Sequence, residues 1–266
     1  MTIAPLPASH TRVTPSRLVV TIRAAYVYGP ARRDYPGVSG GEPRIVLVEA
    51  TDRVLRTMPP NLSAFAAERL RGRRVEVRLG ATVERIGPTE VHLSDGERIP
   101  TETVVWTAGI KGDPRVAAWG LPTGRGGRVP VTPELHLADR PEVYVVGDLA
   151  LLEGAGASLP QVAQVAMQQG TRAAKNIAAS LEGRPLEPFA YFDYGVLAVI
   201  GRNAAVADMR GRTFTGFLAW ILWLAIHLVK LIGFRNRALV LVNWAWNYLF
   251  PRRSVRLILP VEAPFR

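Results

Sequence analysis

The sequence predicts an α/β fold with a parallel sheet, and the pattern of residues 43–110 carries this prediction. Residues 44–49 (Arg-Ile-Val-Leu-Val-Glu) form an apolar run of strand length, and residues 74–79 alternate as a strand does. Between them, residues 61–71 carry apolar side chains at helical spacing. The strand–helix–strand order is typical of a parallel sheet with helices packed on it.

Residues 1–42 do not continue this pattern. They contain five prolines and one short β-branched run, at 18–22. Proline fixes φ and removes a main-chain donor, so regular elements are disfavoured there. We expect an atypical, poorly ordered leader with one short strand.

The elements after residue 80 follow from the same criteria. Residues 111–130 are rich in Gly and Pro and are predicted to be a connection. Pro160 occupies the favoured first turn of a long helix. The predicted elements are strands at 82–86, 90–93, 102–106 and 142–146, a helix at 161–181, further strands within 194–210, and apolar segments at 214–234 and 238–250.

Composition excludes several classes of site. With 48% hydrophobic residues the chain can bury a core, so disorder is not its main state. The chain has no cysteine, which excludes disulfides, iron–sulfur clusters and a Cys nucleophile. Its four histidines are not at metal-ligand spacing, so we expect no metal site.

Charge and tryptophan are concentrated in residues 184–266. This stretch has eleven Lys and Arg against four Asp and Glu, and it holds four of the six tryptophans. Basic charge, Trp and long apolar runs together indicate an anionic membrane surface. Single-stranded nucleic acid also binds aromatic and basic residues, but the apolar runs are too long for that to be the better interpretation. We therefore expect no nucleic-acid partner.

The two C-terminal apolar segments have three interpretations. Segment 214–234 is long enough to span a bilayer but contains His227 and Lys230, whereas segment 238–250 is too short. We favour two amphipathic helices that lie on the membrane through residues 214–250. One membrane span and a buried soluble hairpin are the alternatives.

Two strand ends could serve a dinucleotide. Glu49 ends the run 44–49, where an acid can bind a ribose hydroxyl or simply be a solvated carboxylate. Ala108 and Gly109 follow the strand at 102–106, and small residues there either admit a cofactor to the backbone or form an ordinary turn.

A third strand end, Gly147-Asp148, is followed by a glutamine-bearing helix. Gly permits close approach and Asp accepts hydrogen bonds from ribityl or ribose hydroxyls, or caps the next segment. Gln164 and Gln168 lie four residues apart and share a helix face. They either face a flat ring or form the polar outer face of an amphipathic helix.

Taken in order, these motifs resemble the type II NADH dehydrogenases, membrane flavoproteins that pass electrons from NADH to quinone. The motifs are RIVLVEA, VVWTAGI, EVYVVGDLA, LPQVAQVAMQQG and WLAIHL followed by GFRNR, within residues 43–260. The resemblance implies a partial two-dinucleotide-binding-domain flavoprotein fold, Rossmann-like, with C-terminal amphipathic membrane-associated helices. It implies a partial NAD-binding domain at 43–110, the C-terminal part of an FAD-binding domain at 111–183 and a membrane-anchoring region at 184–266.

The resemblance also implies a set of ligands and roles. The cofactors are FAD and NADH, the acceptor is a membrane quinone, and the enzyme is peripheral on the cytoplasmic side of the cell membrane; a homodimer is compatible with it. Glu49 would bind the NADH ribose, while Ala108 and Gly109 would line the nucleotide cleft. The residues expected near FAD and quinone are Gly147, Asp148, Ala163, Gln164 and Gln168, with Gln164 and Gln168 as the catalytic pair.

The glycine fingerprints of such enzymes are missing, because no G-x-G-x-x-G occurs in the 266 residues. The pyrophosphates of both dinucleotides normally rest on that turn and on the helix after it. We expect a C-terminal part of such an enzyme behind a foreign leader, with poor FAD binding by this chain alone. The competing hypothesis is a non-catalytic membrane-associated remnant, or a subunit that needs a separate N-terminal FAD-binding half.

Overall fold

The computed structural model describes residues 19–22, 44–101, 103–107, 109–152 and 159–250. Apart from its strand, the predicted leader lies outside these residues. The strands are β1 Val19–Ile22, β2 Ile45–Glu49, β3 Val75–Leu79, β4 Val83–Ile86, β5 Glu90–Leu93, β6 Arg98–Pro100, β7 Val104–Trp106, β8 Val129–Val131, β9 Ala150–Leu152, β10 Val196–Gly201, β11 Ala204–Met209 and β12 Arg212–Thr215. The helices are α1 Pro60–Arg71, α2 Arg115–Ala118, α3 Ala163–Leu181, α4 Gly216–Lys230 and α5 Phe234–Leu249.

These elements form two compact units. One contains the described residues before 108 together with those from 195 onward, and the other contains residues 109–194. The predicted α/β class is confirmed, because sheets and helices alternate through both units. The domain boundaries predicted at 42, 110 and 183 stay a prediction.

The main sheet of the first unit has the strand order β3-β2-β1-β7 and is mixed. Strands β2 and β3 are parallel, as predicted. Strand β1 lies antiparallel to both β2 and β7, so the prediction of a wholly parallel sheet is wrong at its centre. Val19 therefore lies opposite Val48, and the amino end of β1 is level with the carboxyl end of β2.

Alternation along β2 gives this sheet two apolar faces. Val46 and Val48 pack on the antiparallel sheet β4-β5-β6, in a cluster that includes Val91. Leu47 points to the other face and packs on helix α1 through Ala66. Side chains alternate across a strand, so a continuous apolar run such as 45–48 requires cover on both faces.

The sheet β10-β11-β12 packs on the outer side of α1 in the same unit. Val206 of β11 is fully buried against Leu62 and Met58. Its neighbours Ala205 and Ala207 point to the opposite face, where they pack on Ala219 of α4. Alternation along β11 thus places α1 on one face of this sheet and α4 on the other.

The second unit is built around the short parallel pair β8-β9 and the long helix α3. Its apolar cluster includes Val129, Leu137, Val145 and Ala150. The strand predicted at 142–146 is wrong in extent, since Tyr144 makes only an isolated bridge to His136. The Val143 N–H donates to the main-chain oxygen of Arg140 within a turn, so the pairing with residues 135–137 ends there and the ladder does not lengthen.

Three helix boundaries differ from the prediction. Helix α3 begins at Ala163, not 161, because Val162 is extended with φ −136° and ψ 152°. Helix α4 begins at Gly216 because Phe214 and Thr215 belong to β12. Helix α5 begins at Phe234, so the polar trio 235–237 lies in its first turn and does not separate two helices.

Helices α4 and α5 run antiparallel along each other. Trp223 of α4 stacks on Trp244 of α5 with ring centroids 6.3 Å apart, and Trp220 meets Tyr248 at 5.7 Å. Within the described residues, none of the helices combines the length and the apolar character that crossing a membrane requires.

Candidate functional site

Glu49 lies at the carboxyl end of β2, in the first unit, and its side chain is buried. Its Oε1 accepts hydrogen bonds from the main-chain N–H of Thr51 at 3.0 Å and from the Thr51 hydroxyl at 2.9 Å. One carboxylate oxygen is therefore already engaged in shaping the turn after β2. The expected hydrogen bond from a ribose hydroxyl to Glu49 stays a prediction, and it would use the second carboxylate oxygen.

The turn after β7 is only partly described. Ala108 lies outside the described residues, and Gly109 is exposed with a φ of +76°. A Cβ at Gly109 would meet nothing within 4 Å, so its glycine is required by the backbone angle and not by crowding. The nucleotide-cleft role of both residues stays a prediction.

The Gly147-Asp148 turn, in the second unit, packs closely against helix α3. Gly147 has a φ of +73°, and a Cβ there would lie 3.3 Å from the Cβ of Ala166. The Gly147 N–H donates a 2.7 Å hydrogen bond to Oε1 of Gln169. Glycine at 147 thus meets both a backbone requirement and the close approach of α3.

Asp148 presents its carboxylate at the surface beside Arg128. Its main-chain oxygen accepts a hydrogen bond from Nε2 of Gln161 at 3.1 Å, which fixes the turn. Arg128 donates to the main-chain oxygen of Ala150, so this arginine also belongs to the turn's surroundings. Burial lowers the pKa of Arg128 below its ordinary value, and the negative Asp148 opposes that shift.

The second unit therefore offers one exposed carboxylate on a glycine turn, as contact with a polyol requires. Those features fit the ribityl or ribose hydroxyls of a dinucleotide. In the first unit the pyrophosphate of a dinucleotide is less well served, because the amino end of β1 lies beside the carboxyl end of β2, where a glycine loop would start. Among the described residues, no three His, Asp or Glu side chains gather into a group that could hold a metal ion.

Gln164 and Gln168 lie one turn apart on α3, and both reach the same segment of the second unit. Nε2 of Gln168 donates to the main-chain oxygen of Phe192 at 2.8 Å, and its Oε1 accepts the Phe192 N–H at 3.0 Å. Nε2 of Gln164 donates to Oδ1 of Asp193 at 3.2 Å, and its Oε1 accepts the Tyr194 N–H at 3.4 Å. The predicted shared face is thus confirmed as geometry, while their catalytic role and the cofactor role of the exposed Ala163 stay predictions.

Sequence reasoning missed two buried amides on the same helix. Gln169 is 1% exposed and holds the Gly147 turn. Asn176 is 2% exposed; its Nδ2 donates to the main-chain oxygens of Glu134 and Glu187, and its Oδ1 accepts the Glu187 N–H. The signal was present, because Gln169 and Asn176 occupy the helical stripe of Val165 and Ala173, where apolar residues are expected.

The antiparallel pair α4–α5 carries an extensive exposed apolar surface. Within the described residues 234–249 no side chain of α5 is buried. Its exposed members include Leu241 at 52% and Val242 at 63%. Arg202 donates to the main-chain oxygen of Tyr248 and covers its ring at 4.5 Å, so a basic side chain flanks the apolar surface.

Two family models match the chain. The pyridine nucleotide-disulphide oxidoreductase model matches residues 31–170, and the NDH2 C-terminal domain model matches residues 194–253. The first match covers β2 with Glu49, the Gly147 turn and the start of α3, but not β1. The second covers the sheet β10-β11-β12 and the helix pair α4–α5.

Curated relatives are similar over most of this chain but only over part of their own length. The type II NADH:quinone oxidoreductase Ndh of Mycobacterium tuberculosis is 36% identical over 231 residues, which are 83% of this chain and 49% of that protein. The mitochondrial internal alternative NAD(P)H-ubiquinone oxidoreductase A1 of Arabidopsis thaliana is 30% identical over 80% of this chain and 45% of its own. The chain thus spans about half the length of the curated relatives that it matches.

Solved structures share the fold at low identity. NDH2 from Plasmodium falciparum in complex with NADH has a TM-score of 0.71 at 13% identity, over 79% of this chain and 59% of that one. The sulfide:quinone oxidoreductase of Aquifex aeolicus has a TM-score of 0.57 at 13% identity, over 82% and 56%. At 13% identity, both likenesses concern the fold alone.

Proposed function

Because this chain belongs to the pyridine nucleotide-disulphide oxidoreductase family, we propose that it supplies the C-terminal part of an FAD-dependent NADH:quinone oxidoreductase. The observation that carries the proposal is the Gly147-Asp148 turn held against a helix that also bears Gln164 and Gln168. The 36% identity to a type II NADH:quinone oxidoreductase supports the substrate pair.

The position of each residue determines the role that we propose for it. Asp148 accepts hydrogen bonds from hydroxyls of FAD, and Gln161 and Gln169 keep its turn in place. Glu49 accepts a hydrogen bond from a ribose hydroxyl of NADH through Oε2, because its Oε1 is bonded to Thr51. A bound flavin supplies the chemistry, taking a hydride from a nicotinamide and passing electrons to quinone. Amide side chains do not titrate, so Gln164 and Gln168 orient groups and exchange no protons.

A second candidate function is favoured by the missing glycine fingerprint and the direction of β1. No G-x-G-x-x-G occurs in the sequence, and β1 runs antiparallel where a dinucleotide-binding fold brings a parallel strand and its glycine turn. In this alternative the chain is a membrane-associated subunit, inactive by itself and completed by a separate FAD-binding polypeptide.

A visible absorbance spectrum separates the two candidates. The full chain is purified in detergent with added FAD, desalted, and then treated with NADH, beside Asp148→Ala. Flavin bands that bleach in the wild type and weaken in the variant assign the complete reaction to this chain. A colourless wild type that oxidises NADH with a soluble quinone only when the N-terminal half of the Mycobacterium tuberculosis relative is added supports the second candidate. Inactivity in both settings refutes the proposed activity.

We further propose that the chain is peripheral on the cytoplasmic side of the membrane and docks through residues 214–250. The exposed apolar surface of α4–α5, flanked by basic side chains, supports this placement. The cytoplasmic leaflet is anionic and attracts such residues. A homodimer that covers the same surface is the competing arrangement, and light scattering of the detergent-free chain would reveal it as a doubled mass.

A further inference from the structure

Gln168 forms with the main chain of Phe192 the same pair of hydrogen bonds that a neighbouring β-strand would form. Its amide donates to the Phe192 oxygen at 2.8 Å and accepts the Phe192 N–H at 3.0 Å. In an antiparallel ladder, two facing residues exchange the same two bonds. Phe192 is in no strand or helix, so this side chain provides its main chain with the pairing that a sheet would otherwise give.

Gln164 extends the pairing by one turn. Its Nε2 donates to the Asp193 carboxylate, and its Oε1 accepts the Tyr194 N–H. The spacing of four residues puts both amides on one side of α3, in line with the extended segment 192–194. Two successive glutamines thus fix three consecutive residues to the helix.

The fixed segment is aromatic and partly exposed. Phe192 is 47% exposed and Tyr194 is 52% exposed, and their rings meet edge to face with centroids 4.9 Å apart. The Tyr191 hydroxyl donates to Oδ1 of Asp193 at 3.3 Å. The edge-to-face contact of the two rings and the main-chain bonds to α3 both hold this segment.

We propose that Gln168 is a positioning residue, which acts on the surroundings of the electron acceptor through the main chain of Phe192. Each polar atom of its amide makes one bond to Phe192, and these two bonds fix the plane of the amide relative to the segment, although an amide keeps a second N–H and a second lone pair beyond them. Gln168 sets where the aromatic segment 191–194 lies. The proposal rests on the proposed function only for the identity of the acceptor.

Amide hydrogen exchange tests the pairing without requiring activity. The full chain is compared with Gln168→Met, which keeps the length but neither bond, with Gln168→Glu, which keeps the acceptor for the Phe192 N–H, and with Met167→Leu as an exposed neighbour. We expect exchange at Phe192 to rise about tenfold in Gln168→Met, as loss of about 1.4 kcal/mol requires. Gln168→Glu should restore only part of the protection, because its second oxygen faces the Phe192 oxygen that the amide N–H bonded, and Met167→Leu should leave the protection unchanged.

The outcomes bear on the proposal separately from the proposed function. Unchanged exchange at Phe192 in Gln168→Met, or an equal rise in Met167→Leu, overturns it. Equal exchange in the Glu and Met variants also overturns it, because the acceptor atom would then not matter. If FAD fails to bind but exchange follows the expected order, the proposed function fails and the positioning role stands.

Discussion

Replacing Leu241 and Val242 together by Ser tests membrane docking at an exposed apolar part of α5. Both residues lie on α5, where they are 52% and 63% exposed and belong to no apolar cluster. The substitutions remove apolar surface without opening a cavity, so the folded state should lose little free energy of unfolding.

The magnitude follows from the exposed fractions. Full burial of a Val or Leu side chain is worth about 1.5–3 kcal/mol, and each residue has about half its surface left to bury, so each contributes about 1–1.5 kcal/mol to docking. The pair contributes about 2–3 kcal/mol, which is a factor of about 30–150 in the partition coefficient.

Sedimentation with anionic vesicles measures that coefficient. The matched control is Leu181→Ser, because Leu181 is 84% exposed but belongs to α3 and not to the α4–α5 pair. We expect the control to bind as the wild type does and the double variant to bind at least about 30-fold more weakly. Equal binding by all three proteins would refute the reasoning and place the docking surface elsewhere.

Three further predictions concern the second unit. Gly147→Ala should lower the free energy of unfolding by about 1–3 kcal/mol. The loss should exceed that of Gly183→Ala, because Gly183 has the positive φ but no neighbour within 4 Å of an added Cβ. Equal losses in urea titration would contradict this. Asn176→Ala should cost about 2–4 kcal/mol in the same titration, since it leaves buried main-chain groups unpaired, and a loss below about 1 kcal/mol would contradict it. Burial and then Asp193 raise the pKa of Tyr191 to about 12, so Asp193→Asn should lower this pKa towards 10.0 in tyrosinate absorbance, with Tyr191→Phe as the blank. Its raised pKa contributes stability that is fully present below pH 10 and is lost as pH rises towards about 12; Asp193→Asn should make this loss smaller and end it at a lower pH.

The sequence identified most strands of the first unit but not the direction of β1. Its β-branched run predicts a strand at 18–22, and the structure has Val19–Ile22. Alternation and propensity are the same whichever way a strand is read, so they do not distinguish a parallel from an antiparallel neighbour. Pairing with β2 and β7 decides it, and those contacts are remote in sequence.

Helix starts were predicted less well than helix existence, for a local reason. Hydrophobic periodicity places helix boundaries at polar side chains that interrupt the apolar pattern. In α5 they are first-turn residues, where Asn236 donates to the oxygen of Ile232 and Arg237 donates to that of Leu231. Such bonds to a preceding turn satisfy groups that a helix end leaves open, and hydrophobic periodicity does not contain them.

The candidate site was predictable in its residue types and less so in its partners. The Gly147 turn and the pair Gln164 and Gln168 were identified from spacing alone. That the glutamines pair with segment 192–194 depends on where the chain returns after α3, which no local pattern specifies. Gln169 was the detectable omission, because an amide on a buried stripe must find a partner.

Strand β11 contributes side chains to two apolar clusters, one on each face of its sheet, and this limits how the chain can be shortened. Ending the chain before α4 would uncover Ala205 and Ala207, and ending it before β10 would uncover Leu62 on α1. Either truncation replaces one exposed apolar surface by another, which lies nearer to the sheet that contains Glu49. A form that stays in solution without detergent is therefore to be sought in the full chain, by replacing exposed apolar side chains of α5 with polar ones.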